Sequence, residues 1–147
     1  MPHPRKIGSL SPFVLLRKYR RRRSRAGIAV VEFAVCLPIL MAMIMGVIEA
    51  SNAVFLQQSL TSAAYEAANV ASAIGGTSAE ATTRANAVLT ALGVKNATVS
   101  ISPTVTTATP IGTTIVVNVS APFSANSLVF GYVGSPTLAA KITIPHL

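Results

Sequence analysis

From Ile28 to Ile48 the chain places 21 residues in a row with a single charge among them, Glu32. As a helix such a run is roughly 31 Å long, about the thickness of one hydrocarbon core. A secretory signal peptide has a shorter apolar core, about 7–15 residues, followed by an Ala-x-Ala-like cleavage site. No such site follows here. The run therefore predicts a membrane-spanning helix, and Glu32 is a charge where an unpaired carboxylate is costly. Pro38 and Gly46 interrupt the span. Pro38 removes a backbone donor and is expected to kink the helix, which neighbouring helices or local adjustment can accommodate in a membrane.

The charge map orients this span. The formal net charge is +8, yet nine of the twelve Lys and Arg residues precede Gly27, seven of them in "RKYRRRRSR" from Arg17 to Arg25. From Glu49 to Ser78 there is no base. The positive-inside rule then puts the N-terminus in the cytoplasm and the rest outside. An arginine run can also be a nucleic-acid arm, but the adjacent span explains the bases, and no nucleic-acid partner is expected. The lone cysteine, Cys36, lies within the apolar run, so an intrachain disulfide is excluded.

Past Ile48 no Pro or Gly occurs until Gly75. Ala53, Leu56, Leu60, Ala63, Ala67, Val70 and Ile74 recur in steps of three and four, the seam of an amphipathic helix. Gln57, Gln58, Ser62 and Glu66 fall off that seam. One helix from about Ile28 to Ile74 would be on the order of 70 Å long. Its outer half must pack on this chain's own domain or on other subunits. Gly75 and Gly76 are expected to stop it. Thr77 and Glu80 form a capping-box pattern that opens a second helix, with Ala81, Ala85, Val88 and Leu92 on one face and Gly93 at its end.

Three alternating runs follow. "NATVSI" puts Ala97, Val99 and Ile101 on one side. "GTTIVVNVS" turns Ile115, Val117 and Val119 inward, and "LAAKITI" does the same with Leu138, Ala140, Ile142 and Ile144. The first two read as an antiparallel pair. Residues Ala121 to Pro136 look irregular, with a short helical turn near Asn126 to Phe130. The expected class is α+β: a long N-terminal membrane-spanning helix continuing as an amphipathic helix, then a small helix with about three antiparallel strands. The expected division is a basic cytoplasmic leader at 1–27, a transmembrane helix at 28–48, an extracytoplasmic extension at 49–75, and a small α+β domain at 76–147.

No catalytic or metal-binding pattern of the HExxH, CxxC or GxSxG type occurs. His3 and His146 lie at opposite ends, and Glu49, Glu66 and Glu80 are expected to face water or cap helices. No enzyme activity, cofactor, metal or small-molecule substrate is expected.

Gly27, the four apolar residues "IAVV", then Glu32 and the aromatic Phe33 resemble the class III signal of type IV pilin-like proteins. The longer stretch from Arg25 to Ala71 resembles the TadE-like family of minor pseudopilins from tight-adherence (Flp) pilus systems. "AVVEFA", the Leu37–Pro38 pair, "GVIEA" and "QQSLTSAAYEAA" carry that resemblance. A leader of this length is long for small major pilins, and the chain is too short for the extra domain of TadG-like relatives. The resemblance implies a bacterial inner-membrane protein cut between Gly27 and Ile28, on the cytoplasmic side, by a prepilin peptidase. Its partners would be other pilin or pseudopilin subunits and the pilus assembly machinery. Cutting there removes all nine leader bases and creates an amine at Ile28, one helical turn from Glu32. A pair between Glu32 and such an amine, its own or a neighbour's, would offset the carboxylate's cost and set the register of packed helices. Two readings remain open beside this one. Glu32 could snorkel to the headgroups near Arg25, and the chain could be an uncleaved bitopic protein whose outer domain binds an envelope partner. A membrane-anchored enzyme lacks residues to carry it.

Overall fold

The computed structural model describes residues 13–128 and 136–147, with side chains from Gly27 onward. The elements run α1 (Phe13–Ser72), α2 (Ser78–Ala91), β1 (Thr98–Ser102), β2 (Thr114–Pro122), α3 (Phe123–Asn126) and β3 (Thr137–Pro145). The class is α+β, as expected. The chain divides into two compact units, Met1–Ile44 and Met45–Leu147.

In the first unit the described residues are all α1. The helix begins well before Ile28, at Phe13. Between Phe13 and Ala26 there is no Gly or Pro, and Arg and Lys are good helix formers, so nothing breaks the helix at the basic run. Helical structure also continues through Pro38.

The second unit is built on a three-stranded antiparallel sheet in the order β1-β2-β3. Val99, Val119 and Ala140 face each other across the strands, as do Ile101, Val117 and Ile142. These rows form the inner face, because side chains alternate with period two. The nine-residue β2 buries Ile115, Val117, Val119 and Ala121. The outer face carries rows such as Ser100, Asn118 and Lys141. The inner face shares one core with Leu56, Leu60, Ala63, Ala64, Ala67, Ala68 and Ala71 of α1, and with Ala81, Ala85 and Leu89 of α2. Alanines on α1 let backbones approach closely.

One residue of the α1 seam and one of the expected α2 face lie elsewhere than expected. Ile74 is 86% exposed. The helix ends at Ser72, and Gly75 turns the chain with φ +77°. A Cβ on Gly76 would collide with the Val70 carbonyl oxygen. This tight reversal takes Ile74 out of the register that the spacing implied. On α2 Leu89 is buried beside Ala81 and Ala85, while Leu92 is exposed. Leu92 is the C-cap, with ψ near 0°, so the helical face stops one turn sooner. Val94 N–H donates to Leu89 O at 2.9 Å and Gly93 has φ +71°, the Schellman pattern of a helix stop.

The start of α2 forms as the sequence indicated. Thr77 Oγ1 accepts from the Glu80 N–H at 3.3 Å, and its hydroxyl donates to Glu80 Oε2 at 3.0 Å. Ser78 also pins the β1–β2 loop: Val105 N–H donates to Ser78 Oγ at 2.7 Å, and Ser78 N–H donates to Val105 O at 3.0 Å. Val105 is thereby buried in a loop whose Thr-rich sequence shows no period. Thr77→Ala should cost about 1 kcal/mol, the usual worth of an N-cap. The check is thermal unfolding of the full chain in detergent.

The short helix also sits earlier than expected. It is α3, and Asn126 is its last residue instead of its first. Pro122 ends β2 and the buried Phe123 opens the turn. The remainder of the expected turn, 129–130, lies outside the described residues. At the far end, Leu147 N–H donates to Ser72 O at 2.8 Å, and His146 Nδ1 lies 3.1 Å from Ala71 O. Against a carbonyl acceptor that nitrogen must carry the proton. His146 is 3% exposed, so it is a buried fastening between chain end and helix.

Candidate functional site

Gly27, Ile28, Glu32, Phe33 and Pro38 all lie on α1. Ile28 and Glu32 are four residues apart, which puts them on one helical face a turn from each other. Phe33 follows on the neighbouring face and is 60% exposed. Among the described residues Glu32 makes no ion pair, since the salt bridge found there joins Arg84 and Glu66 at 3.0 Å. The large apolar side chains from Ile28 through Ile48, apart from the half-buried Met45, are exposed along the helix. No residue of its most apolar window is buried. An apolar surface of that extent requires lipid or other protein around it.

Gly27 is not required by the chain's own packing. A Cβ at Gly27 would meet nothing within 4 Å, and its φ is not positive. Inside a helix a glycine is weaker than alanine by about 1 kcal/mol. The bond between Gly27 and Ile28 therefore lies at a soft point of α1.

A second cluster sits just beyond the apolar run, within the second unit. Glu49 accepts from the Ser127 hydroxyl through one carboxylate oxygen and from the Leu128 N–H through the other, at 3.3 Å. One turn on, Asn52 Nδ2 donates to Asn126 O at 2.7 Å. The Asn126 side chain in turn holds Lys95 on both sides, accepting from its N–H at 2.8 Å and donating to its carbonyl at 3.0 Å. Glu80 caps α2, in line with the expectation, whereas Glu66, half-exposed, pairs with Arg84, a contact the expectation did not include. Glu49 departs from it: it ties α1 to the segment after α3. No periodicity announces that contact, because its partners are 78 and 79 residues away. Glu49→Ala should free this segment, with hydrogen exchange at the Leu128 amide rising at least about tenfold for the loss of one charge-assisted hydrogen bond. Unchanged protection would show that Glu49 does not hold the segment.

These features define a class: a single long apolar N-terminal helix, of the kind that crosses a membrane once, joined to a small α+β unit. The family model described as TadE-like protein matches residues 27–69, less than a third of the chain, and over that stretch the sequence is similar to that family. The match begins on Gly27 and ends within α1. No curated protein and no solved structure matches the chain.

Proposed function

We propose that this chain is a minor pseudopilin of a Tad (Flp-type) pilus system, a structural and assembly component without enzymatic activity. One observation carries the reading: the TadE-like match starts at a glycine that the fold does not need. A glycine with no packing or conformational role is accounted for by a peptidase that requires the smallest residue there. The prepilin peptidase cuts between Gly27 and Ile28. Residues 1–27 are then the cytoplasmic leader, 28–48 the span, and 49–75 and 76–147 the extracytoplasmic extension and domain. The arginine-rich flank holds the N-terminus in the cytoplasm of a bacterial cell. After the cut, Glu32 pairs with the Ile28 amine of its own or a neighbouring subunit. Pro38 bends the span where helices pack. The partners are the peptidase, other pilin or pseudopilin subunits and the assembly machinery.

A second reading is favoured by the continuity of α1 across the Gly27–Ile28 bond. An uncleaved bitopic protein would use that unbroken helix as it stands and would bind an envelope partner with its outer domain. One experiment separates the two. The chain is co-expressed with a cognate prepilin peptidase and its N-terminus is determined. A mature chain starting at Ile28 is expected; an intact Met1 terminus in the membrane fraction would overturn the pseudopilin reading. Gly27→Ala should slow the cut severely, so that uncut chain accumulates on a mass spectrum of the membrane fraction.

A further inference from the structure

One recess of about 190 Å³ in the second unit is lined by Phe55, Leu92, Lys95, Asn126 and Leu128, among others. Its rim is unusual for a water-facing surface. Leu128 is 71% exposed, Phe55 52% and Leu92 37%. The cation beside them, Lys95, has no carboxylate partner among the described residues, whereas Arg84 is paired with Glu66. The Lys95 backbone is held on both sides by Asn126, so its position is fixed before any ligand arrives.

The level of this rim along α1 is set by hydrogen bonds. Leu128 N–H is bonded to Glu49, one residue past the apolar run, and Asn52 holds Asn126. Phe55 comes about two turns beyond Ile48, roughly 10 Å along the helix. Leu128, bonded to Glu49 only about 1.5 Å past the run, falls within the headgroup layer, which extends about 5–7 Å beyond the hydrocarbon core on each side, and the Phe55 side chain leans back toward that layer because helical side chains tilt toward the N-terminus. Apolar side chains beside a lysine are the composition expected at that depth.

We propose that this rim is a lipid-docking plate. Phe55, Leu92 and Leu128 enter the interfacial layer of the outer leaflet, and the Lys95 ammonium binds a phospholipid headgroup phosphate. The plate rests on the reading of α1 as a membrane span. It holds the second unit against the bilayer before any subunit partner is engaged. Glu49 sits at the same level with its carboxylate turned to Ser127 and Leu128, so it does not confront the phosphate as a free charge.

The chain has no tryptophan, so single reporters can be introduced into the full chain. Leu128→Trp, Phe55→Trp, Ile44→Trp and Ile111→Trp are each reconstituted in vesicles of phosphatidylethanolamine and phosphatidylglycerol. Leu128→Trp and Phe55→Trp should emit at blue-shifted wavelengths and be quenched by lipids brominated near the headgroup. Ile44→Trp should be quenched by lipids brominated deep in the acyl chain. Ile111→Trp, on an exposed loop, should respond to aqueous iodide alone. Lys95→Glu should lower the brominated-lipid quenching of Leu128→Trp about fivefold, the worth of one juxtamembrane base, and Lys95→Arg should preserve it. Iodide access to Leu128→Trp and Phe55→Trp equal to that of Ile111→Trp overturns the plate. Shielding from iodide without quenching by brominated lipid assigns the rim to a protein partner and overturns the lipid. Unchanged quenching in Lys95→Glu removes the phosphate contact. Failure of Ile44→Trp to be quenched shows that the span reading itself has failed, and the plate with it.

Discussion

Glu32→Gln should leave the protein in the membrane and drop its recovery in pilus assemblies by two orders of magnitude or more. Glutamine keeps the shape and polarity of the side chain and removes only the charge. In the proposed mature subunit that charge faces an ammonium one helical turn away, in a segment surrounded by lipid or neighbouring helices. Breaking such a pair from one side costs about 3–5 kcal/mol, because the remaining charge stays desolvated and unpaired. At about 1.4 kcal/mol per factor of ten, that range corresponds to roughly 100- to 4,000-fold in an association constant. Peptidase cutting should persist, since the bond after Gly27 is untouched. The measurement is the partition of processed subunit between the membrane fraction and sheared pili or detergent-stable assembly complexes. Equal partition of Glu32→Gln and parent would rule out the charge pair and leave Glu32 as an interfacial carboxylate.

Leu60→Ala should destabilise the second unit by about 3 kcal/mol, within the 2–5 kcal/mol typical of truncating a buried leucine. Leu60 is fully buried and lies in one cluster with Ile115, Val117 and Val119 of β2. Apart from Leu56, the buried α1 face around it is made mostly of alanine, whose methyl groups are too short to fill the space left behind. For a unit of about 100 residues, each kcal/mol shifts the midpoint by roughly 4–8 °C. A fall of at least about 12 °C in the thermal midpoint of the full chain in detergent is therefore expected. A shift within 3 °C would mean that α1 is not packed on the sheet in solution.

What the sequence conveyed and what it withheld divide along range. The alternation in "TIVVNV" gave β2 its inward residues, because a strand repeats every two residues whatever it pairs with. The three-four spacing from Ala53 to Ala67 likewise marked the buried face of α1. Ile74 and Leu92 extended those periods one step too far: a period carries no information on where the backbone stops being helical. Glycine dihedrals and a collision at Gly76 decide that. The Glu49–Ser127 contact, the burial of Val105 and the docking of His146 were not legible at all, since each joins residues far apart in the chain through polar atoms with no periodic signature. For the proposed site the position is reversed. Gly27, Glu32 and Phe33 are a local pattern, fully visible in one dimension. The fold adds that Gly27 has no structural duty and that Glu32 has no ion-pair partner among the described residues.

The fastening of His146 and Leu147 to the end of α1 has a consequence for biosynthesis. The histidine contact spans 75 residues, and the strand leading to it completes the sheet that covers the alanine face. During synthesis α1 emerges first, α2 and β2 reach it later, and the sheet that covers it is complete only once β3 has followed. Until then the face from Leu56 to Ala71 is at most partly covered. Alanine is the residue that makes such a wait tolerable. Each presents a single methyl group to chaperones, to lipid and to sister chains, so the nascent helix offers little apolar surface for mistaken association. Small residues chosen for close packing in the finished molecule thus also keep its unfinished form from sticking.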